Sequence, residues 1–166
     1  MDAALASLLS AGKDALAAGL EAALLAQEAP HYREAPPAER RARVEQLVAA
    51  FLTAVDASGP APFVAHVRAI AGERAEEGYD LREIQHALSA LEAQAWPLVV
   101  EAGGDTEVVV RRLALVTGVV GRGKDELARA FLDHKERAEA RAEALQQRLE
   151  ELFKGTQSAP EGGSST

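Results

Sequence analysis

Apolar residues recur at steps of three and four along most of this chain, which is the period of an amphipathic α-helix. The first such stretch runs from about residue 2 to residue 28, with apolar positions at Leu5, Leu8, Leu9, Leu16, Leu20, Leu24 and Leu25. Gly12 and Gly19 weaken this helix, because glycine loses more backbone freedom on folding than alanine does. We therefore expect a long first helix with a break near residues 10–13.

Prolines and glycines divide the middle of the chain into further helices. Residues 29–37 contain three prolines and are expected to form a connector. The next helix should begin at Pro37, and its apolar stripe is the clearest in the sequence: Val44, Leu47, Val48, Phe51, Leu52 and Val55. A further helix should start around Ala61, and Gly78 fits a left-handed cap at its C-terminal end.

The helix that follows carries the strongest local start signal in the chain. Asp80 and Glu83 have the spacing of a capping box, in which each side chain accepts a hydrogen bond from the other's backbone. Further along, Pro97 deletes one backbone donor and crowds the preceding turn, so the helix should kink or divide there. Gly103 and Gly104 should end it, and Asp105 can cap the next helix.

The last stretch, from Thr106 to about residue 154, is either one long helix or two. Its end follows a heptad pattern with charged neighbours of alternating sign, which is typical of a short coiled coil of about three heptads. We name as the seam the six core positions Phe131, Ala138, Ala142, Leu145, Leu149 and Leu152. Lys135 interrupts the pattern at its first a position. The seam predicts an interface for a second copy, so we expect a homodimer.

These elements predict a single all-α bundle of five to six helices with a long C-terminal helix. Residues 1–123 should form the bundle, and residues 124–154 an amphipathic coiled-coil helix that can be continuous with the helix before it. Residues 155–166 have nothing apolar to bury and should be disordered.

Composition narrows the function classes. The net charge is −8, and the short basic run at Arg40, Arg41 and Arg43 sits beside Glu39 and Glu45, so we interpret it as a solvated helix face and expect no nucleic-acid partner. The absence of cysteine excludes disulfides and thiolate chemistry. No apolar run is long enough for a membrane span and no secretion signal is evident, so we expect a cytoplasmic protein.

One motif imitates a nucleotide-binding loop. Gly118, Gly123 and Lys124 match the spacing G-x4-G-K of a phosphate loop, but the next position is Asp125 where a Ser or Thr must bind magnesium. Such a loop also needs parallel strands around it, which this helical sequence does not supply. We therefore expect these glycines to permit close helix packing or a bend.

A second motif, Glu83 with His86, could hold a metal, since residues three apart share one helix face as in di-iron bundles. Glu28 and His31 repeat the spacing across Pro30. The inward glutamates that would complete the site are missing, and the four histidines, including His66 and His134, are scattered. We therefore expect a chain without cofactors, and the alternative is a metal- or haem-binding bundle. No catalytic constellation is evident, so we do not expect an enzyme.

Arg74 lies one turn before Gly78. It can pair with Glu77 or with the terminal carbonyls of its own helix, which we favour, or it can form an ion pair that fixes its helix to the next one.

The same segment resembles the helical N-terminal sensor domains of RsbR/RsbRD-type stressosome co-antagonists, over roughly residues 12–152. The shared positions are Ala71, Arg74, Ala75, Gly78, Tyr79, Leu81, Ile84, Ala87, Leu88 and Leu91. The resemblance implies a globin-like bundle without haem that dimerises through its terminal helices and passes a signal down the last one. Because no output domain follows that helix in this sequence, we expect a regulatory module that acts on a separate, unidentified partner protein.

Overall fold

A computed structural model describes residues 3–27 and 29–157, and every element in these ranges is helical. The helices are α1 (Ala3–Ala11), α2 (Lys13–Ala26), α3 (Pro30–Glu34), α4 (Pro37–Asp56), α5 (Ala61–Glu76), α6 (Leu81–Glu101) and α7 (Thr106–Gln157). The all-α class with a long C-terminal helix is therefore confirmed. None of the helices in the described part of the chain combines the length and the apolar character that crossing a bilayer requires.

The N-terminal helix breaks where the sequence predicts. Gly12 separates α1 from α2, and a Cβ atom at this position would lie 3.2 Å from Cδ1 of Leu98. The predicted ends of this stretch, at residues 2 and 28, lie outside the described residues. The prediction of a plain connector over residues 29–37 is wrong, since one turn of helix, α3, forms inside it. Pro30 stands in the first turn of α3, where its missing N–H does no harm, and the buried Tyr32 anchors the turn to the core.

The core lies between α1, α2, α4, α5, α6 and the first half of α7. Phe51 and Phe63 meet edge to face at its centre, with ring centroids 6.1 Å apart, and both side chains are fully buried. Leucine, valine and alanine supply most of the remaining core, as the low aromatic content predicts. Helices α5 and α6 both pack along α7, so the beginning of α7 is held inside the bundle.

Pro97 does not divide its helix, contrary to one of the two outcomes expected. Helix α6 continues through it to Glu101. Pro97 lies in the last turns, where only one backbone hydrogen bond is lost, and the fully buried Ala95 and Val99 hold the helix against the core on either side.

Helix α7 is one element of 52 residues, which resolves the alternative left open by the sequence. Gly118, Gly123 and Lys124 lie inside it, so the phosphate-loop geometry is absent from this segment. Gly123 packs against the ring of Phe63, as expected for close helix packing, whereas Gly118 and Gly121 have no atom within 4 Å of an added Cβ. From residue 135 to residue 154 every side chain is exposed, so the end of α7 projects beyond the bundle by about 30 Å. The helix reaches Gln157, three residues into the segment predicted to be a disordered tail; residues 158–166 lie outside the described part.

Candidate interaction surface

The seam lies almost entirely on the projecting part of α7. Its three leucines, Leu145, Leu149 and Leu152, are 60%, 54% and 67% exposed, and Ala138 and Ala142 are exposed as well. Only Phe131 is partly buried, because it packs on the core. The structure thus places five of the six seam positions where another molecule can reach them.

Two apolar residues beside the seam also remain in solvent. Leu132 is 53% exposed and Phe153 is 67% exposed. Both occupy e positions of the heptad, next to the a and d positions from which the seam was defined. Sequence reasoning missed them, although e positions commonly widen an apolar stripe.

A groove opens where the seam leaves the bundle. We name it the turn groove: one wall is the end of α5 and the turn into α6, and the other is α7. Its volume is about 460 Å³, and its lining residues are Ala75, Glu76, Tyr79, Asp80, Leu81, Phe131, Leu132, His134, Lys135 and Ala138. His134 Nε2 lies 3.4 Å from Glu76 Oε1 and so joins the two walls.

Tyr79 lines this groove and forms the centre of a cluster from four parts of the chain. The His31 ring stacks on it at 4.6 Å between centroids, and Tyr32 meets it edge-on at 5.3 Å. The guanidinium groups of Arg43 and Arg74 lie 5.6 and 5.5 Å from the ring centroid, and Nη1 of Arg43 donates a hydrogen bond to the Tyr79 hydroxyl. Burial raises the pKa of Tyr79, while the two arginines act in the opposite direction. The turn between α5 and α6 is therefore fixed to α3 and α4.

Arg74 pairs within its own helix end, the first of the two alternatives. Its side chain is buried, and Nη1 lies 2.7 Å from Oε2 of Glu77. Glu77 also accepts a hydrogen bond from Nη2 of Arg43 at 2.9 Å. Arg74 therefore joins α5 to α4 through a shared carboxylate, and within the described part of the chain its guanidinium forms no hydrogen bond or ion pair with α6.

Glu83 and His86 are not brought together as metal ligands. Glu83 is buried and accepts hydrogen bonds from the backbone of Asp80 (3.0 Å), the backbone of His31 (3.1 Å) and Nδ1 of His31 (2.7 Å), whereas His86 is exposed. The capping box with Asp80 is present as predicted. Within residues 3–27 and 29–157 no group of three or more His, Asp or Glu side chains could hold a metal ion. Glu28, the other half of the second motif, lies outside these ranges.

The interpretation of the basic run as a solvated face is wrong for two of its three arginines. Arg40 is buried, with Nε 3.0 Å from Oε1 of Glu21, and Arg43 lies in the Tyr79 cluster. Only Arg41 is solvated, beside Glu45. Helical spacing places Arg40 and Arg43 on one face, but only the tertiary structure turns that face inward.

Comparison with known protein families supports the resemblance to the RsbR/RsbRD-type domains. The profile of the family described as the RsbT co-antagonist protein rsbRD N-terminal domain matches residues 14–152. Among curated proteins and among solved structures, no significant match to the chain is found. Because the matched span covers most of the chain and the fold is all-α, the chain belongs to the RsbRD N-terminal domain family and is a regulatory, stressosome-type helical module.

Proposed function

We propose that this chain is a non-catalytic regulatory module that pairs with a second copy through the seam and acts on a separate protein in the cytoplasm. The observation that carries the proposal is the exposure of Leu145, Leu149 and Leu152 on a helix that extends past its own bundle. A continuous apolar stripe on a projecting element is typical of an interaction surface, since single chains rarely expose one without a partner.

The size of the seam predicts weak, reversible pairing. Covering the exposed parts of six leucines, three from each copy, contributes on the order of 5–10 kcal/mol, which is comparable to the entropic cost of association. Self-association over about three heptads should therefore depend strongly on protein concentration. When the free energy of burying the leucines is close to the entropic cost of association, small changes can switch pairing on or off, as a regulated module requires.

The charges beside the seam favour a parallel pair. In an antiparallel pair, g positions face g positions, so Arg141 and Arg148 would repel their counterparts in the second copy. In a parallel pair, a g position faces the e position of the next heptad, which sets His134 opposite Glu139 and Arg141 opposite Gln146. A parallel pair also keeps the two bundles at the same end.

For the separate partner, the family description points to an RsbT-type protein. The test is a calorimetric titration of such a protein with the whole chain, compared with a chain that ends at Ala138 and so retains the whole core. We expect a complex with the whole chain and weaker binding by the shortened one. Without most of the seam, the shortened chain cannot pair with a second copy, and so it presents one binding surface to the partner where the pair presents two. If the whole chain shows no binding at any attainable concentration, an RsbT-type partner is ruled out.

A further inference from the structure

The turn groove begins where the seam begins, and the two share residues. Phe131, Leu132, His134 and Lys135 line the groove and occupy the d, e, g and a positions at the start of the seam, and Ala138, which also lines it, occupies the next d position. In a coiled coil these are the positions that face the other helix. The first heptad therefore presents its pairing face to the turn between α5 and α6 as well as to any second copy.

This overlap identifies the occupant. A parallel, in-register partner helix that follows the seam from Leu152 back to Phe131 must enter the space between the two walls. We propose that the turn groove receives α7 of a second copy, so that the turn of each protomer contacts the partner's helix. The proposal rests on the pairing proposed above and assigns it a second contact surface outside the coiled coil.

The charges of the groove fit this occupant. Lys135 occupies an a position, where two lysines would meet across a parallel pair, and it forms no ion pair with any described residue. The opposite wall carries the carboxylates of Glu76 and Asp80, and the Glu76 side chain is 70% exposed although its Oε1 lies 3.4 Å from His134. The acidic wall can neutralise both lysines, which a coiled coil alone would leave facing each other.

The apolar lining supports the same occupant. Leu132 is 53% exposed although it stands beside Leu81, which packs partly on the core. A helix lying in the groove would cover Leu132 and the outer side of Leu81 together. Tyr79 lines the same groove, so the occupant would lie against the cluster that joins α3, α4 and α5.

Cross-linking tests the contact cleanly, because the chain contains no cysteine. A mass-tagged Glu76→Cys protein is mixed with a Lys135→Cys protein and treated with a short thiol cross-linker. We expect a mixed cross-linked pair, and none when Glu101→Cys, about 30 Å away at the other end of α6, replaces Glu76→Cys. Leu145→Cys alone reports on the seam. Cross-linking through Leu145→Cys without the mixed pair would overturn the groove contact and leave the seam intact; no cross-linking in either case would overturn both.

A charge exchange gives an independent readout. We expect Glu76→Lys to weaken self-association by about tenfold, and Lys135→Glu in the same chain to restore it, with Glu101→Lys as the neutral control. If Glu76→Lys leaves the dissociation constant unchanged, or if the exchange restores nothing, the acidic wall does not face a second copy.

Discussion

A Cβ atom placed on Gly123 would lie 2.5 Å from Cε1 of Phe63, so α7 passes directly over the ring of a fully buried phenylalanine. Gly118 and Gly121, five and two residues earlier in the same helix, face open space. Of these three glycines, only Gly123 stands where the packing leaves no room for a side chain.

This difference predicts opposite effects of one substitution. Gly118→Ala and Gly121→Ala should each raise the free energy of unfolding by about 0.5–1 kcal/mol, since alanine is the better helix former. Gly123→Ala should lower it by about 1–3 kcal/mol, because the ring of Phe63 has no room to shift. Urea denaturation of the three variants measures both signs, and a Gly123→Ala protein as stable as the other two would contradict the packing described here.

Glu83 should be the most sensitive carboxylate of α6. Glu83→Ala removes the buried carboxylate that accepts the partly buried backbone N–H groups of Asp80 and His31, which should cost about 2–3 kcal/mol of unfolding free energy. His31→Ala should cost less, roughly 1 kcal/mol, because its ring is partly exposed. Glu101→Ala, at the exposed end of α6, is the control and should be close to neutral. Equal stability of the Glu83→Ala and Glu101→Ala proteins in thermal unfolding would refute this role.

His66 should make the fold sensitive to mild acid. Burial, and after it the charge of Arg74, lowers the pKa of His66 below its ordinary value of 6.5. The unfolded chain then binds a proton more readily than the folded one, so the stabilisation is complete above pH 6.5 and decreases as the pH falls through the lowered folded pKa. Between pH 7.5 and pH 5.5 the wild type should lose more stability than His66→Gln, while the exposed His86→Gln behaves as the wild type. Parallel losses in all three proteins would show that His66 contributes nothing.

Local sequence patterns predicted the elements whose causes are local. The break at Gly12, the left-handed Gly78 (φ +85°) and the capping box of Asp80 with Glu83 all depend on residues within a few positions of one another. The seam was likewise visible as a heptad pattern, because its spacing is a property of one helix.

Features that depend on distant residues were not visible. His31 and Glu83 are 52 positions apart, and nothing in either neighbourhood indicates that they meet. The Tyr79 cluster joins α3, α4, α5 and the turn before α6, so its composition follows only from the tertiary packing. The continuity of α6 through Pro97 has the same origin, since buried neighbours outweigh the local preference.

Self-association through the seam is tested most directly by sedimentation equilibrium of the wild type, of Leu145→Glu/Leu149→Glu, and of Ala140→Glu/Ala144→Glu. The last variant adds the same two charges on α7 at positions outside the seam. The mass of the wild type and of the control should rise with concentration from 17.5 kDa toward twice that value, while the seam variant stays at the mass of one chain. A wild type that remains at 17.5 kDa throughout, or a seam variant that associates as the wild type does, would contradict the account.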